Sequence, residues 1–261
     1  MIEKWMTAIP PLTGDEERAV YVYVPDIAAR KKSLRFPVLY MFDGHNVFFD
    51  EDATYGKSWG MKTYADKQRL QMIIVAVECN HHPNNGRLSE YSPFSFRDAR
   101  IGSVQGRGEI TMEWMIHTLK PLIDSRYPTL PERESTFIAG SSMGGLMSLY
   151  AVLQHNDVFS RAACLSPSLW LATKRLNRFV REAQVQPGTV VYMDYGSREM
   201  AGRPKMKKQF DLTVQQLLEK DVFLTSRIVP NGEHCEASWE EQLPIFMPVL
   251  MFHCHAKTVR K

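Results

Sequence analysis

The pentapeptide Gly140-Ser141-Ser142-Met143-Gly144 lies between an apolar run and a helical pattern, and this order restricts the fold strongly. Residues 137–139 lead into it as a β-rich run, and residues 146–150 leave it with helical character. A strand that turns sharply into a helix at G-x-S-x-G is typical of a nucleophile elbow, which exposes the serine hydroxyl. Ser142 is therefore a candidate nucleophile, and a glycine-rich turn without chemistry is the alternative.

The rest of the chain alternates short apolar runs with helical patterns, which predicts a mostly parallel sheet covered by helices on both faces. An alternating pattern at residues 19–24 predicts an early antiparallel strand. Buried strands are predicted at residues 36–42, 71–77, 136–139, 162–165, 189–193 and 222–229. With the N-terminal segment, these runs predict a single α/β-hydrolase domain over residues 1–261 with about eight strands.

Helical periodicity is clearest in three segments, residues 111–127, 143–154 and 207–219. A closing helix is predicted from about Glu236, with four apolar residues on one face: Trp239, Leu243, Phe246 and Leu250. The segment between Glu78 and Ile110 is long, polar and irregular. Because long irregular loops in compact domains are usually functional, we expect it near the mouth of the site.

Composition excludes several classes of function. The 261 residues are 44% hydrophobic and 23% charged with a net charge of +3, and no block of like charges predicts nucleic-acid binding. No apolar run reaches the ~20 residues that a membrane helix needs. The four cysteines are far apart and the N-terminus lacks an apolar signal core, so we expect a cytoplasmic protein.

A serine hydroxyl needs a general base, which in this fold lies near the C-terminus after the last strand. Four histidines follow the elbow. His155 is too close to it in sequence, and His253 and His255 lie in the tail beyond the last helical pattern. His234 follows the turn at residues 230–233 and precedes the closing helix, so it is the candidate base.

The acid that orients the histidine should follow the penultimate strand. Asp194 and Glu199 both come after residues 189–193. Asp194 can still lie inside the strand, whereas Glu199 lies beyond the turn at Gly196 and can reach the loop of His234. We favour Glu199 and keep Asp194 as the alternative. The non-catalytic alternative for either residue is a carboxylate that caps or stabilises the N-terminus of a helix.

An oxyanion hole needs two donors, which are expected to be the backbone N–H groups of Met143 and His45. Trp59, Trp170 and the loop from His81 to Arg100 are candidates for lining the substrate pocket, with core packing as the alternative for each tryptophan.

No cofactor is predicted, because the chain has no glycine-rich phosphate loop. No functional metal is predicted either. His81 and His82 are adjacent in sequence, and the terminal His253-Cys254-His255 lacks acidic partners and the usual ligand spacing.

Four segments make the chain resemble the putative-esterase family of α/β-hydrolases, which includes enterochelin (siderophore) esterases, feruloyl esterases and S-formylglutathione hydrolase. They are VLYMFDGHNVF at 38–48, the stretch at 119–123 with YPTLPERESTFIAGSSMGG, SPSLW at 166–170 and NGEHCEASWEEQLP at 231–244. NGRLSEYSPFSF at 85–96 is similar to the mouth loop of the family.

The resemblance implies that the nucleophile is Ser142, the histidine His234 and the acid Glu199. It implies a serine esterase that acts on a small-molecule ester with a short-acyl, acetyl or feruloyl group. A siderophore trilactone is the alternative substrate. A binding protein that retains the fold without catalysis is the alternative of another class.

Overall fold

The protein is described by a computed structural model that covers residues 1–99, 101–254 and 256–258. Eight strands form the main sheet, in the order β1-β2-β5-β4-β8-β9-β10-β11. They are β1 (Ile2–Ala8), β2 (Glu17–Tyr23), β4 (Val38–Met41), β5 (Ile73–Val77), β8 (Thr136–Ser141), β9 (Arg161–Leu165), β10 (Thr189–Gly196) and β11 (Val222–Val229). Two small sheets pair β3 (Leu34–Arg35) with β12 (Lys257–Thr258) and β6 (Phe96–Asp98) with β7 (Gly102–Val104).

From β5 to β11 all neighbouring strands are parallel, whereas β2 pairs antiparallel with both β1 and β5. The six parallel strands therefore end at the same edge of the sheet. The predicted sheet of about eight strands and its antiparallel early strand are confirmed.

Helices cover both faces of the sheet. They are α1 (Pro10–Thr13), α2 (Ile27–Arg30), α3 (Met61–Gln68), α4 (Gly86–Glu90), α5 (Gly108–Trp114), α6 (Lys120–Arg126), α7 (Met143–Gln154), α8 (Thr173–Glu182), α9 (Ser197–Met200), α10 (Pro204–Leu218), α11 (Glu236–Glu240) and α12 (Leu243–Met251). Short 3-10 turns span Gly44–Asn46 and Arg133–Ser135, and a π turn spans Met115–Leu119.

The core consists of two apolar layers, one on each face of the sheet. In β4, Val38 and Tyr40 join the layer under α5 to α8 and α10, while Leu39 and Met41 join the layer under α3, α11 and α12. Successive side chains of a strand point to opposite faces, so a strand buried on both faces reads as a continuous apolar run. This explains why these strands were recognisable in the sequence.

Three predicted helices differ in detail from the structure. The helix predicted at 111–127 is α5, the π turn and α6, because Pro121 has no N–H to donate to the carbonyl four residues earlier. Accordingly, the N–H of Lys120 bonds to Met115 O, five residues back. The closing helix is two helices, α11 and α12, whose buried face includes the four predicted apolar residues. The third, predicted at 207–219, begins earlier, at Pro204.

The segment 78–110 is less irregular than expected, since it contains α4 and the hairpin of β6 and β7. Helices α3 and α8 were not predicted. The four cysteines are all free thiols. Within the described part of the chain, no helix is both long enough and apolar enough to cross a membrane.

Candidate active site

A cavity of about 740 Å³ lies where the parallel strands end. Its wall contains Ser142 from the end of β8 and His234 from the loop after β11, together with His45, Arg87 and Trp239. A larger groove of about 1270 Å³ lies elsewhere, between the N-terminal strand and residues 124–131. The larger groove contains none of the predicted catalytic residues, so the smaller cavity is the candidate site.

Ser142 forms a sharp turn between β8 and α7. Its backbone has φ 56° and ψ −117°, a conformation that costs a non-glycine residue about 1–3 kcal/mol. The turn is held by the N–H of Ser142, which donates to Leu165 O at 2.9 Å. A Cβ at Gly140 would lie 2.6 Å from the carbonyl carbon of Gly144, so a side chain there would prevent the close approach of strand and helix. These features are those of the predicted elbow.

The hydroxyl of Ser142 lies 3.5 Å from that of Ser168. Among the described residues, this is the only hydrogen bond of Ser142 Oγ, and His234 is not within hydrogen-bond distance of it. The structure therefore brings Ser142 and His234 to one cavity with the serine side chain turned toward Ser168.

Glu199 contacts the histidine. Its Oε2 accepts a hydrogen bond from His234 Nδ1 at 2.7 Å, and its Oε1 accepts from Ser166 Oγ at 2.6 Å and from the N–H of Gly196 at 2.9 Å. Burial alone would raise the pKa of Glu199, but the bonds from His234, Ser166 and Gly196 lower it below its ordinary value. The carboxylate is thus kept ionised beside the imidazole.

Asp194 lies inside β10 and is 1% exposed. Its carboxylate accepts from Tyr192 Oη at 2.7 Å and from the N–H of Ser166 at 3.3 Å, and does not contact His234. Burial raises its pKa to about 6 in spite of these two donors. The geometry places Glu199, and not Asp194, next to the histidine.

The loop of His234 is held against the end of β10. A Cβ at Gly196 would collide with the carbonyl oxygen of Gly232, and the same oxygen accepts from the N–H of Arg198 at 3.1 Å. Trp239 packs edge-to-face on His234 with ring centroids 5.1 Å apart. Close backbone contact on one side and an aromatic ring on the other therefore fix the imidazole.

The predicted oxyanion donors come from two chain segments at the same edge of the sheet. Met143 is the first residue of α7, so its N–H has no acceptor within the helix. His45 lies in the 3-10 turn Gly44–Asn46, and no backbone carbonyl of the described residues accepts from its N–H. A Cβ at Gly44 would lie 2.6 Å from the carbonyl carbon of Ala76, so the turn can pack there only as glycine.

Neither predicted tryptophan lines this cavity. Trp59 is 3% exposed and packs against Trp239 and Phe246, with ring centroids 6.0 and 6.2 Å apart, so it is a core residue. Trp170 is 41% exposed and packs on Phe96, in a separate shallow groove. The wall of this cavity therefore gives no support to the prediction that either tryptophan binds substrate, since sequence does not show which surface an aromatic residue faces. Arg100 and His255 lie outside the described residues.

An ion pair in the cavity wall was missed by sequence reasoning. Arg87 donates to both oxygens of Asp43, at 2.6 and 2.7 Å. Burial would raise the pKa of Asp43, but the guanidinium of Arg87 lowers it. Since Asp43 precedes the turn that carries His45, the pair fixes the position of a predicted oxyanion donor. Sequence indicated Arg87 only as part of the loop from His81 to Arg100, predicted to line the pocket, and gave no sign of its pairing with Asp43.

The family model described as "Putative esterase" matches residues 13–247. The chain belongs to this esterase family. A ferulic acid esterase of known structure superposes with a TM-score of 0.70 at 17% identity, over 96% of this chain and 97% of that one. Together with the sheet described above, this likeness shows the α/β-hydrolase fold.

Two relatives align over part of this chain. Uncharacterized protein YbbA of Bacillus subtilis (strain 168) is 28% identical over 179 residues, which cover 67% of this chain and 65% of that protein. Siderophore triacetylfusarinine C esterase of Aspergillus fumigatus is 25% identical over 141 residues, covering 51% of this chain and 44% of that enzyme. The chain thus spans less than two thirds of the length of either relative.

Proposed function

We propose that the protein is a serine esterase that hydrolyses carboxylic esters through an acyl-enzyme on Ser142. The observation that carries the proposal is the contact of 2.7 Å between His234 Nδ1 and Glu199, in a cavity whose wall also contains Ser142 on its strained turn. A serine, an ionised carboxylate and a histidine are the groups that acyl transfer requires, and here they follow one another in this order along the chain.

In the proposed reaction, His234 Nε2 accepts the proton of Ser142 as Oγ attacks the ester carbonyl. A rotation about the Cα–Cβ bond of Ser142 turns Oγ from Ser168 toward His234. The N–H groups of Met143 and His45 stabilise the tetrahedral oxyanion, and the protonated imidazole then donates its proton to the leaving alcohol. Water activated by His234 releases the acid and restores the serine.

The cavity favours small or polar acyl groups over long alkyl chains. Many of its wall residues are polar or charged, including Asn46, Lys57, Asn80, Arg87 and Glu236. A fatty chain packed against these groups would desolvate them without offering hydrogen bonds in return. We therefore propose short-acyl, acetyl or feruloyl esters as substrates. This preference is tested by measuring kcat/KM for p-nitrophenyl acetate, methyl ferulate and p-nitrophenyl decanoate. A higher value for the decanoate than for the other two esters would contradict it.

A siderophore trilactone is the second candidate substrate. Similarity to a relative named as a siderophore esterase favours it, and the cavity of about 740 Å³ can admit one ester arm of a large polar molecule. Adding a catecholate trilactone to the same panel decides between the two substrate classes. A small-ester esterase should have its highest kcat/KM on one of the small esters, and a siderophore esterase on the trilactone.

The test of the mechanism is Ser142→Ala, which removes the proposed nucleophile. We expect hydrolysis to fall by several orders of magnitude, measured as kcat on p-nitrophenyl acetate. A fluorophosphonate probe should label the wild type and not the variant, because only an activated serine reacts. Ser141→Ala, at the neighbouring serine, is the matched control and should retain the label. More than about a hundredth of the activity left in Ser142→Ala would mean that another residue is the nucleophile.

A further inference from the structure

Three residues that the proposed reaction does not use as side chains meet in the wall of the cavity. The imidazoles of His45 and His81 and the thiol of Cys79 each offer one ligand atom, and these atoms all lie within 4.8 Å of one another. His45 is 5% exposed and Cys79 is 3% exposed. The two imidazole rings pack edge-to-face with their centroids 4.8 Å apart. The cluster joins the loop after β4 to the loop after β5.

His45 provides a separate indication of a ligand. Its Nε2 pairs with Thr54 Oγ1 at 3.0 Å. Its Nδ1 is buried and has no hydrogen-bond partner among the described residues. Buried ring nitrogens without a partner are rare in folded proteins and call for an explanation such as an ion. Since Nε2 is occupied, Nδ1 is the ring atom that is left to bind a ligand.

His81 is oriented by a carboxylate. Its Nε2 lies 3.0 Å from Glu78 Oε1, and Glu78 is itself fixed because its Oε2 accepts from the N–H of Ala19 at 2.9 Å. Histidines that bind metals usually donate their second ring nitrogen to a carboxylate in this way, which fixes the tautomer and the ring orientation. In both histidines, therefore, one ring nitrogen already has a partner, and the other has none among the residues that the structure describes.

We propose that His45, Cys79 and His81 bind a zinc ion, and that the bound ion inhibits the esterase. One thiolate and two imidazoles are ligands that zinc prefers, with a fourth position left for water. Bond lengths of ~2.0–2.3 Å place zinc ligands roughly 3.5 Å apart, so ligand atoms that lie within 4.8 Å of one another need to close by at most about 1.3 Å. The side chain of His81 is half exposed and can move, while Cys79 releases its thiol proton to the buffer on binding.

Inhibition follows from the position of His45, and this part rests on the proposed function. The backbone N–H of His45 is a proposed oxyanion donor, and the same residue would hold the ion through its ring. A zinc ion with its water at this wall would occupy space beside the tetrahedral intermediate and constrain the turn at Gly44–Asn46. Hydrolysis itself needs no metal in this proposal.

Binding is tested with cobalt(II) as a spectroscopic probe for zinc on the metal-free protein. We expect one ion per chain and a thiolate-to-cobalt charge-transfer absorption that zinc displaces. Cys79→Ser should remove this absorption, and His81→Gln should weaken binding by at least about tenfold. His82→Gln, a change at the adjacent histidine, is the matched control and should bind like the wild type. Ser142→Ala should also bind, which separates this result from the test of the esterase mechanism.

Inhibition is tested by adding zinc to the hydrolysis assay and normalising each protein to its own rate in EDTA. Zinc should inhibit the wild type reversibly, whereas Cys79→Ser should require at least about ten times more zinc for half inhibition. Cys235→Ser is the control thiol, since Cys235 adjoins His234 and also lies at the cavity. The proposal is overturned if Cys79→Ser retains the cobalt absorption, or if zinc inhibits Cys79→Ser and the wild type equally.

Discussion

Two carboxylates at the end of β10 lie in different electrostatic environments although they are five residues apart. Asp194 is inside the strand, where burial raises its pKa to about 6. Glu199 is in the short helix beyond the turn, where hydrogen bonds outweigh burial and lower its pKa. Both are largely buried, at 1% and 7% exposed, so burial alone does not decide which of them is ionised.

The difference is in their partners. Glu199 accepts from a hydroxyl, from a backbone N–H and from an imidazole that can carry a positive charge. Asp194 accepts from the hydroxyl of Tyr192 and, at 3.3 Å, from one N–H. The negative charge of Glu199 also raises the pKa of Asp194. Glu199 is therefore the carboxylate that stays ionised beside the histidine. The turn after Gly196 places it outside the strand, where it can accept hydrogen bonds from three donors.

Of the substitutions that test this comparison, Glu199→Gln is expected to change kcat most. An amide cannot stabilise the imidazolium and can reverse the ring tautomer, so kcat should fall by about a thousandfold or more. The measurement is kcat on p-nitrophenyl acetate, with unfolding followed by circular dichroism to show that the variant folds. If Asp194→Asn reduces kcat more than Glu199→Gln does, the proposed roles of the two carboxylates are reversed.

Much of the fold could be predicted because five of its six parallel strands are buried on both faces and so read as apolar runs. Helices with little buried surface were missed. In α8, for example, only Leu176 and Val180 are buried, and the rest of the helix is largely charged. The end of β10 also extends three residues beyond its predicted limit, from 193 to Gly196, because sequence gives few signals for strand ends.

Candidate site residues were predictable where a local motif identifies them. Ser142 follows from its elbow, and His234 from its place after the last strand. Sequence favoured Glu199 over Asp194 but left Asp194 as an alternative, since the choice depends on the residue at which the chain leaves β10. His45, Cys79 and His81 belong to two loops that only the pairing of β4 with β5 brings together.

A smaller effect is expected of Ser166→Ala, which removes the hydroxyl that links Glu199 to Trp239 and keeps the backbone N–H that Asp194 accepts from. Ser166 Oγ donates to Glu199 and accepts from Trp239 Nε1 at 3.1 Å, so it is a positioning residue. Hydrogen bonds to charged groups contribute about 1.5–3 kcal/mol, and we expect kcat to fall about tenfold with KM little changed. The acid limb of the pH–rate profile should also move to higher pH, because Glu199 loses a donor that lowers its pKa.

Ser160→Ala is the matched control for that change. Ser160 lies just before β9, as Ser166 lies just after it, and its buried hydroxyl has no hydrogen-bond partner among the described residues. Its loss should leave the rate and the pH profile unchanged. Equal effects of the two substitutions would show that Ser166 supports only the packing of the strand.

The smallest effect on rate, and a diagnostic effect on stability, is expected of Asp194→Asn. The carboxyl does not contact His234, so kcat should stay within about threefold of wild type.

Because folding raises the pKa of Asp194 from 3.8 to about 6, the folded state binds the extra proton, and stability is lost as pH rises through this range. The loss amounts to about 3 kcal/mol by pH 7, and asparagine avoids it. Urea unfolding at pH 4 and pH 7 should therefore show the variant gaining relative to wild type at the higher pH. A stability difference that is the same at both pH values would mean that folding does not raise the pKa of Asp194, which would contradict the environment assigned to it here.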